Sequence, residues 1–198
     1  MRWILRIGGT LVGLIAVLWL IGMTIAQAHT ASRSLQLKQP PEAIWRALTD
    51  YAAMPSWRSN LSAVDRLPDA NGHEVWRETQ KGGDAIPLET VEAVPPRRLV
   101  RKIADPNLPF GGTWTYELSP DGTGCTLTIT ENGEVYNPIF RVVGKFMDQS
   151  AHITEFLEAL ARKFSEEPRF VVRLADESPP RRVPIQAREL HCESGLRL

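Results

Sequence analysis

The chain has 198 residues, with 23 Lys+Arg against 23 Asp+Glu and a formal net charge of zero. That balance excludes the basic surplus of a nucleic-acid-binding domain, and two cysteines without a C-x-x-C pair exclude a disulfide framework or a zinc ribbon. At 43% hydrophobic and 23% charged residues, the usage is that of a globular protein rather than a disordered polymer.

The first element is apolar. Ile7–Ala26 runs 20 residues without a charge, which at about 1.5 Å per residue covers the roughly 30 Å hydrocarbon layer of a bilayer. Arg2 and Arg6 precede it. Positive flanks stay cytoplasmic, so residues 1–30 are predicted to be a single-pass anchor in the inner (cytoplasmic) membrane, with the rest on the extracytoplasmic side. Ala26-Gln27-Ala28 also reads as an A-x-A cleavage site, so a cleaved signal peptide is the competing expectation. The apolar run is longer than the about 7–15 residues of a signal-peptide core, which favours the uncleaved anchor.

Residues 33–165 are long enough for one core. Ser34–Lys38 alternates as a strand does, and Pro40-Pro41 ends it. Glu42–Leu48 puts Ile44, Trp45 and Leu48 on one helical face, and Tyr51–Trp57 is a second short helix interrupted by Pro55. The period then drops to two. Leu61–Leu67, His73–Gln80, Ile86–Val94, Arg98–Ala104, Gly112–Ser119 and Cys125–Glu131 are strand candidates separated by Gly/Pro/Asn/Asp turns, the pattern of an antiparallel meander. Asn137 and Pro138 then make a helix start. Ile139, Val143, Phe146, Ser150, Ile153, Leu157, Leu160 and Phe164 continue it as one long amphipathic helix, with Gly144 as a kink site. Residues 166–198 hold four prolines with six arginines and six acids interleaved, which reads as a disordered tail with room for one short strand at Phe170–Leu174.

This order resembles the helix-grip fold of the START-like (SRPBCC) superfamily, which includes pollen allergen-type, polyketide cyclase/dehydrase and lipid-transport domains. Pro41–Tyr51 resembles the family's opening helix, Met54-Pro55-Ser56-Trp57 its second helix, and Pro95–Val100 the turn into its fifth strand. Gly111–Tyr116 and Leu127–Glu131 are similar to its last two strands. The resemblance covers residues 33–165. It implies an α+β, Bet v 1-like domain, in which a curved antiparallel sheet wraps around a long C-terminal helix, here preceded by the N-terminal transmembrane helix. It also implies an elongated apolar cavity between sheet and helix.

Strand parity supplies the candidate walls of that cavity. Trp114, Tyr116 and Leu118 share one face, as do Cys125, Leu127, Ile129 and Glu131, and Leu99, Arg101 and Ile103. Neither face of the His73–Gln80 strand is cleanly apolar. The ligand-lining candidates are therefore Trp57, Leu99, Arg101, Ile103, Trp114, Tyr116, Leu127, Ile129, Glu131 and Phe146. Arg101 and Glu131 are the two charges on these faces. They either pair, meet a ligand head group, or lie at the rim, and Asn132-Gly133 directly after Glu131 favours the rim. Arg141 reads as a solvated surface arginine, and Cys125 as a small buried hydrophobe.

No G-x-S-x-G elbow, P-loop or dinucleotide fingerprint is present, and His29, His73, His152 and His191 have no zinc-type spacing. The expectation is thus a membrane-tethered, non-catalytic binder or carrier of a hydrophobic small molecule or lipid, with no cofactor, metal or nucleic acid. The partner of the tail is open. Two alternatives stand beside it. One is a cyclase/dehydratase-like enzyme using Tyr116, Glu131 and Arg101. The other is an interaction module whose interior is filled by its own side chains.

Overall fold

A computed structural model describes residues 2–145, 148 and 150–171. The helix α1 (Arg2–Thr24) is followed after three residues by strand β1 (Ala28–Leu37). Then come α2 (Pro41–Thr49), a 3₁₀ segment (Tyr51–Ser56), and six strands: β2 (Leu61–Ala70), β3 (His73–Gln80), β4 (Ala85–Val94), β5 (Arg98–Ile103), β6 (Phe110–Pro120) and β7 (Cys125–Val135). Two helices, α3 (Pro138–Gly144) and α4 (Ala151–Lys163), and a short β8 (Arg169–Val171) complete the described chain. Among the described residues, α1 contains one stretch, Arg6–Thr24, long and apolar enough to cross a membrane.

All eight strands form one antiparallel sheet in the order β2-β3-β4-β5-β6-β7-β1-β8. This is the antiparallel meander expected from the alternation, in the α+β helix-grip arrangement that the resemblance implied. β1 begins six residues before the alternation at Ser34, because its first half, Ala28–Arg33, pairs with the end of β7. β7 in turn runs straight through Asn132-Gly133, which reads locally as a turn. Gly112, at φ +149°, faces Gly133 across the ladder, and a Cβ on Gly112 would strike the Asn132 carbonyl. Two facing glycines let the strands pass closely enough to stay paired. The strand candidate at Phe170–Leu174 is occupied at its start by β8; residues 172–198 lie outside the described residues.

The largest difference from the sequence expectation is the C-terminal helix, which is two helices. Asn137 caps α3 as expected, its Oδ1 accepting from the Ile139 amide at 2.9 Å. After Gly144 the chain restarts only where Asp148 Oδ1 accepts both the amide (2.9 Å) and the hydroxyl (2.7 Å) of Ser150. α4 then buries Ile153, Phe156, Leu157, Leu160 and Ala161 against Leu35, Leu37, Leu99, Leu118 and Leu127 of the sheet and Ile44 and Leu48 of α2. α3 buries no residue at all. The helix stripe is therefore seated along α4 only and lifts off the sheet along α3.

Candidate functional site

That lift-off leaves an internal cavity of about 710 Å³ between the sheet and the two helices, within the size range of small-molecule sites. Antiparallel pairing fixes its orientation. The start of β1, the end of β7, the start of β6, the end of β5, the start of β4, the end of β3 and the start of β2 all lie at one end of the sheet. The chain enters from α1 at that same end, where the Val135 amide donates to the Gln27 carbonyl at 2.9 Å. At this α1 end the cavity is lined by Gln80, Ile86, Phe110 and Val135, with Phe140 and Val143 of α3, both half-exposed. At the far end α2 and α4 close flush on Leu37, Leu99, Leu118 and Cys125.

α3 is also where α1 docks. A Cβ on Gly22 would collide with the backbone of Pro138, so the last turn of α1 and the first turn of α3 touch directly. Arg141 fastens the joint, donating to the Val135 carbonyl (2.8 Å), the Tyr136 carbonyl (3.0 Å) and Gln27 Oε1 (3.1 Å). The expected solvated arginine is thus a connector, because three acceptors converge where β7, α1 and α3 meet.

Of the lining candidates, Ile103, Trp114, Tyr116, Ile129 and Glu131 lie on the cavity wall. Leu99 and Leu127 belong to the packed core below it. Trp57 stands behind Phe156, edge-on at 5.6 Å between ring centroids. Phe146 lies outside the described residues. Among the described residues no aromatic side chain plugs the interior.

Arg101 and Glu131 neither pair nor sit at a rim. Arg101 is 1% exposed and Glu131 7%. Arg101 lies in mid-sheet, opposite Thr90 on one side and Trp114 on the other. Its Nη1 donates to Glu78 Oε1, while Arg58 Nη1, from the loop after the 3₁₀ segment, donates to Glu78 Oε2 at 2.6 Å. Burial alone would raise the Glu78 carboxyl, but Arg101 and then Arg58 outweigh it and hold the group below its ordinary value of 4.5. The guanidinium carbon of Arg101 lies 4.3 Å from the Tyr51 ring centroid, and that of Arg58 lies 5.0 Å from the Phe156 ring centroid. Tyr116 is buried beside them, and that burial pushes its hydroxyl up to about 12. Arg58 and Glu78 line the cavity. Sequence reasoning missed both: Glu78 shares its strand face with Glu74, Trp76 and Gln80, so that face of β3 is not cleanly apolar.

A second cluster gathers at Glu131. His152 Nε2 of α4 lies 2.7 Å from Glu131 Oε2, and His29 Nε2 of β1 lies 3.7 Å from Glu131 Oε1. His152 Nε2 is also 3.4 Å from Trp114 Nε1. One ring nitrogen cannot accept from Trp114 and donate to Glu131 in the same tautomer; the geometry is that of acceptance from Trp114 Nε1, and Glu131 Oε2 has no hydrogen-bond partner among the described residues. All four side chains line the cavity. The histidines went unread because they reach the wall from β1 and from the polar flank of the α4 stripe. Among the described residues no group of three His, Cys, Asp or Glu side chains is arranged to hold a metal ion.

Residues 28–165 match the model of a family described as polyketide cyclase/dehydrase and lipid transport. No curated protein matches the chain. Solved structures of similar fold include norcoclaurine synthase from Thalictrum flavum (10% identity, TM-score 0.57, covering 75% of this chain and 92% of that one). A protein from Mesorhizobium loti matches at 22% identity and TM-score 0.54, covering 69% and 96%. A START superfamily protein from Mycobacterium smegmatis matches at 15% identity and TM-score 0.54, covering 68% and 96%. At these identities the likeness is one of fold.

Proposed function

The chain belongs to the polyketide cyclase/dehydrase and lipid transport family, and from that premise we propose that it binds and carries a hydrophobic small molecule or lipid without transforming it. Residues 7–26 tether it to the inner membrane, and the domain of residues 33–165 stands on the extracytoplasmic side, as Arg2 and Arg6 require. The observation that carries this reading is that cavity and anchor share one end of the molecule. A guest leaving the bilayer beside α1 meets Phe140 and Val143 first, and both line the cavity. Burial of its apolar surface then contributes roughly 25 cal/mol per Å², against the cost of immobilising it.

The full chain extracted in detergent, examined by native mass spectrometry and by uptake of fluorescent cis-parinaric acid or its methyl ester, tests this reading. A co-purifying or acquired guest is expected, and Ile129→Trp, which narrows the cavity, is expected to weaken uptake. A consistently empty protein that takes up neither probe overturns the reading.

Catalysis in the same cavity is a second reading, favoured by the 2.7 Å contact of His152 with Glu131. An imidazole set beside a carboxylate can serve as a general base, worth about 10²- to 10⁴-fold in rate. Turnover of a cyclisable polyketone that falls by such a factor in His152→Asn, with affinity unchanged, supports it. Absence of turnover removes it.

A further inference from the structure

The cluster around Glu78 is one negative charge short. Two guanidinium groups, Arg58 and Arg101, converge on a single carboxylate. Their side chains are 11% and 2% exposed, and that of Glu78 is 6%. Among the described residues no second carboxylate forms an ion pair with either arginine. The nearby tyrosines do not supply the missing charge, since burial raises the hydroxyls of both Tyr51 and Tyr116 and keeps them neutral. The Tyr51 and Phe156 ring faces lower the cost of the excess cation but do not neutralise it.

Hydrogen bonding is short as well. Arg58 Nε, Arg101 Nε and Arg101 Nη2 are buried donors without a partner, a state that folded proteins avoid. A buried excess charge with orphaned donors is costly unless something else answers it. The cavity reaches this cluster through Arg58 and Glu78, which form part of its wall with Arg101 behind them, and the rest of its lining is mostly apolar.

Resting on the ligand-binding reading above, we infer that the cavity is built for an amphiphile with a single anionic head group, held by Arg58 backed by Arg101, with its aliphatic tail running along Ile103, Ile129 and Phe156 towards α3. One negative charge makes the cluster neutral, and its oxygens accept from the guanidinium edge, an arrangement Arg favours for carboxylate and phosphate alike. A neutral ester, alcohol or glyceride leaves the excess charge in place. A dianion overshoots it.

Binding of cis-parinaric acid and of its methyl ester to the full chain in detergent, read by fluorescence, compares two probes of one shape and different charge. The acid is expected to bind at least ~10-fold more tightly than the ester, as a buried charge-assisted hydrogen bond requires. Arg58→Met is expected to bring the acid down to the ester while leaving the ester unchanged. Competition then separates the two sources of a single anion: displacement of the acid by palmitate points to a carboxylate, and by lysophosphatidylglycerol to a phosphodiester, while hexadecanol displaces the acid only at the higher concentrations that the neutral ester needs. Equal binding of acid and ester by the unmutated chain overturns the inference whether or not the variant folds, and leaves the carrier reading standing. Binding of neither probe is the separate failure of that reading.

Discussion

The two charged clusters on the cavity wall are built on one plan from different materials. Each sets a buried carboxylate between two nitrogen-bearing side chains: Glu78 between Arg58 and Arg101, Glu131 between His29 and His152. The arginines are permanent cations, so Glu78 is locked in its ionised form and the cluster is fixed at any ordinary pH. An imidazole nitrogen donates in one tautomer and accepts in the other, and His152 is half-exposed, so the Glu131 cluster has adaptable partners where the Glu78 cluster has fixed ones. The first is suited to hold a charge in place and the second to adjust its contacts. Position follows the same division: Glu78 faces the buried guanidinium of Arg101, while Glu131 faces the partly open flank of α4.

The contrast breaks most sharply at Glu78. Glu78→Ala strands two buried guanidinium groups and is expected to cost about 3–5 kcal/mol, read as a fall in the urea midpoint at unchanged slope. A loss no greater than that of a surface substitution would show that the excess cation is already answered elsewhere.

The pH dependence is the next largest effect. The folded carboxyl of Glu78 is held below its ordinary value of 4.5, so its stabilising contribution is complete above that pH and is lost as pH falls through the lower folded value. Thermal melts taken from about pH 6 down to about pH 3 are expected to steepen below pH 4.5 in the unmutated chain and to be flatter there in Glu78→Gln. Parallel curves would remove Glu78 from the account of acid unfolding.

The smallest effect belongs to the other cluster. Glu131→Gln keeps a polar side chain beside His152 and is expected to cost only about 1 kcal/mol. A cost matching that of Glu78→Ala would make the two clusters equivalent and deny the Glu131 site its adjustability.

Residue by residue, the legible half of the site is the half with clean alternation. On β6 and β7, apolar and threonine residues take turns, so parity alone placed Trp114, Tyr116, Ile129 and Glu131 on the cavity wall. On β3 both faces carry polar residues, and the burial of Val75 and Glu78, three apart, breaks the two-residue period. No local rule marks Glu78 as inward. The break between α3 and α4 was hidden for the opposite reason. The apolar repeat runs through it without a gap, and only Asp148 and Ser150, whose side chains join at 2.7 Å, signal a new helix start.

By itself the amino-acid sequence determined the apolar N-terminal segment, the strands and the amphipathic C-terminal segment, because hydrophobic period and span length are properties of neighbouring residues; the helix-grip class came from the resemblance of their order and motifs to a known family. Tertiary structure alone decided which charges meet and where the helix leaves the sheet. The partners of Glu78 stand 20 and 23 positions away, and α3 stays off the sheet while joined to α1 through Gly22 and Arg141. Pairing and packing of that kind depend on which distant segments the fold brings together, and no local pattern encodes them.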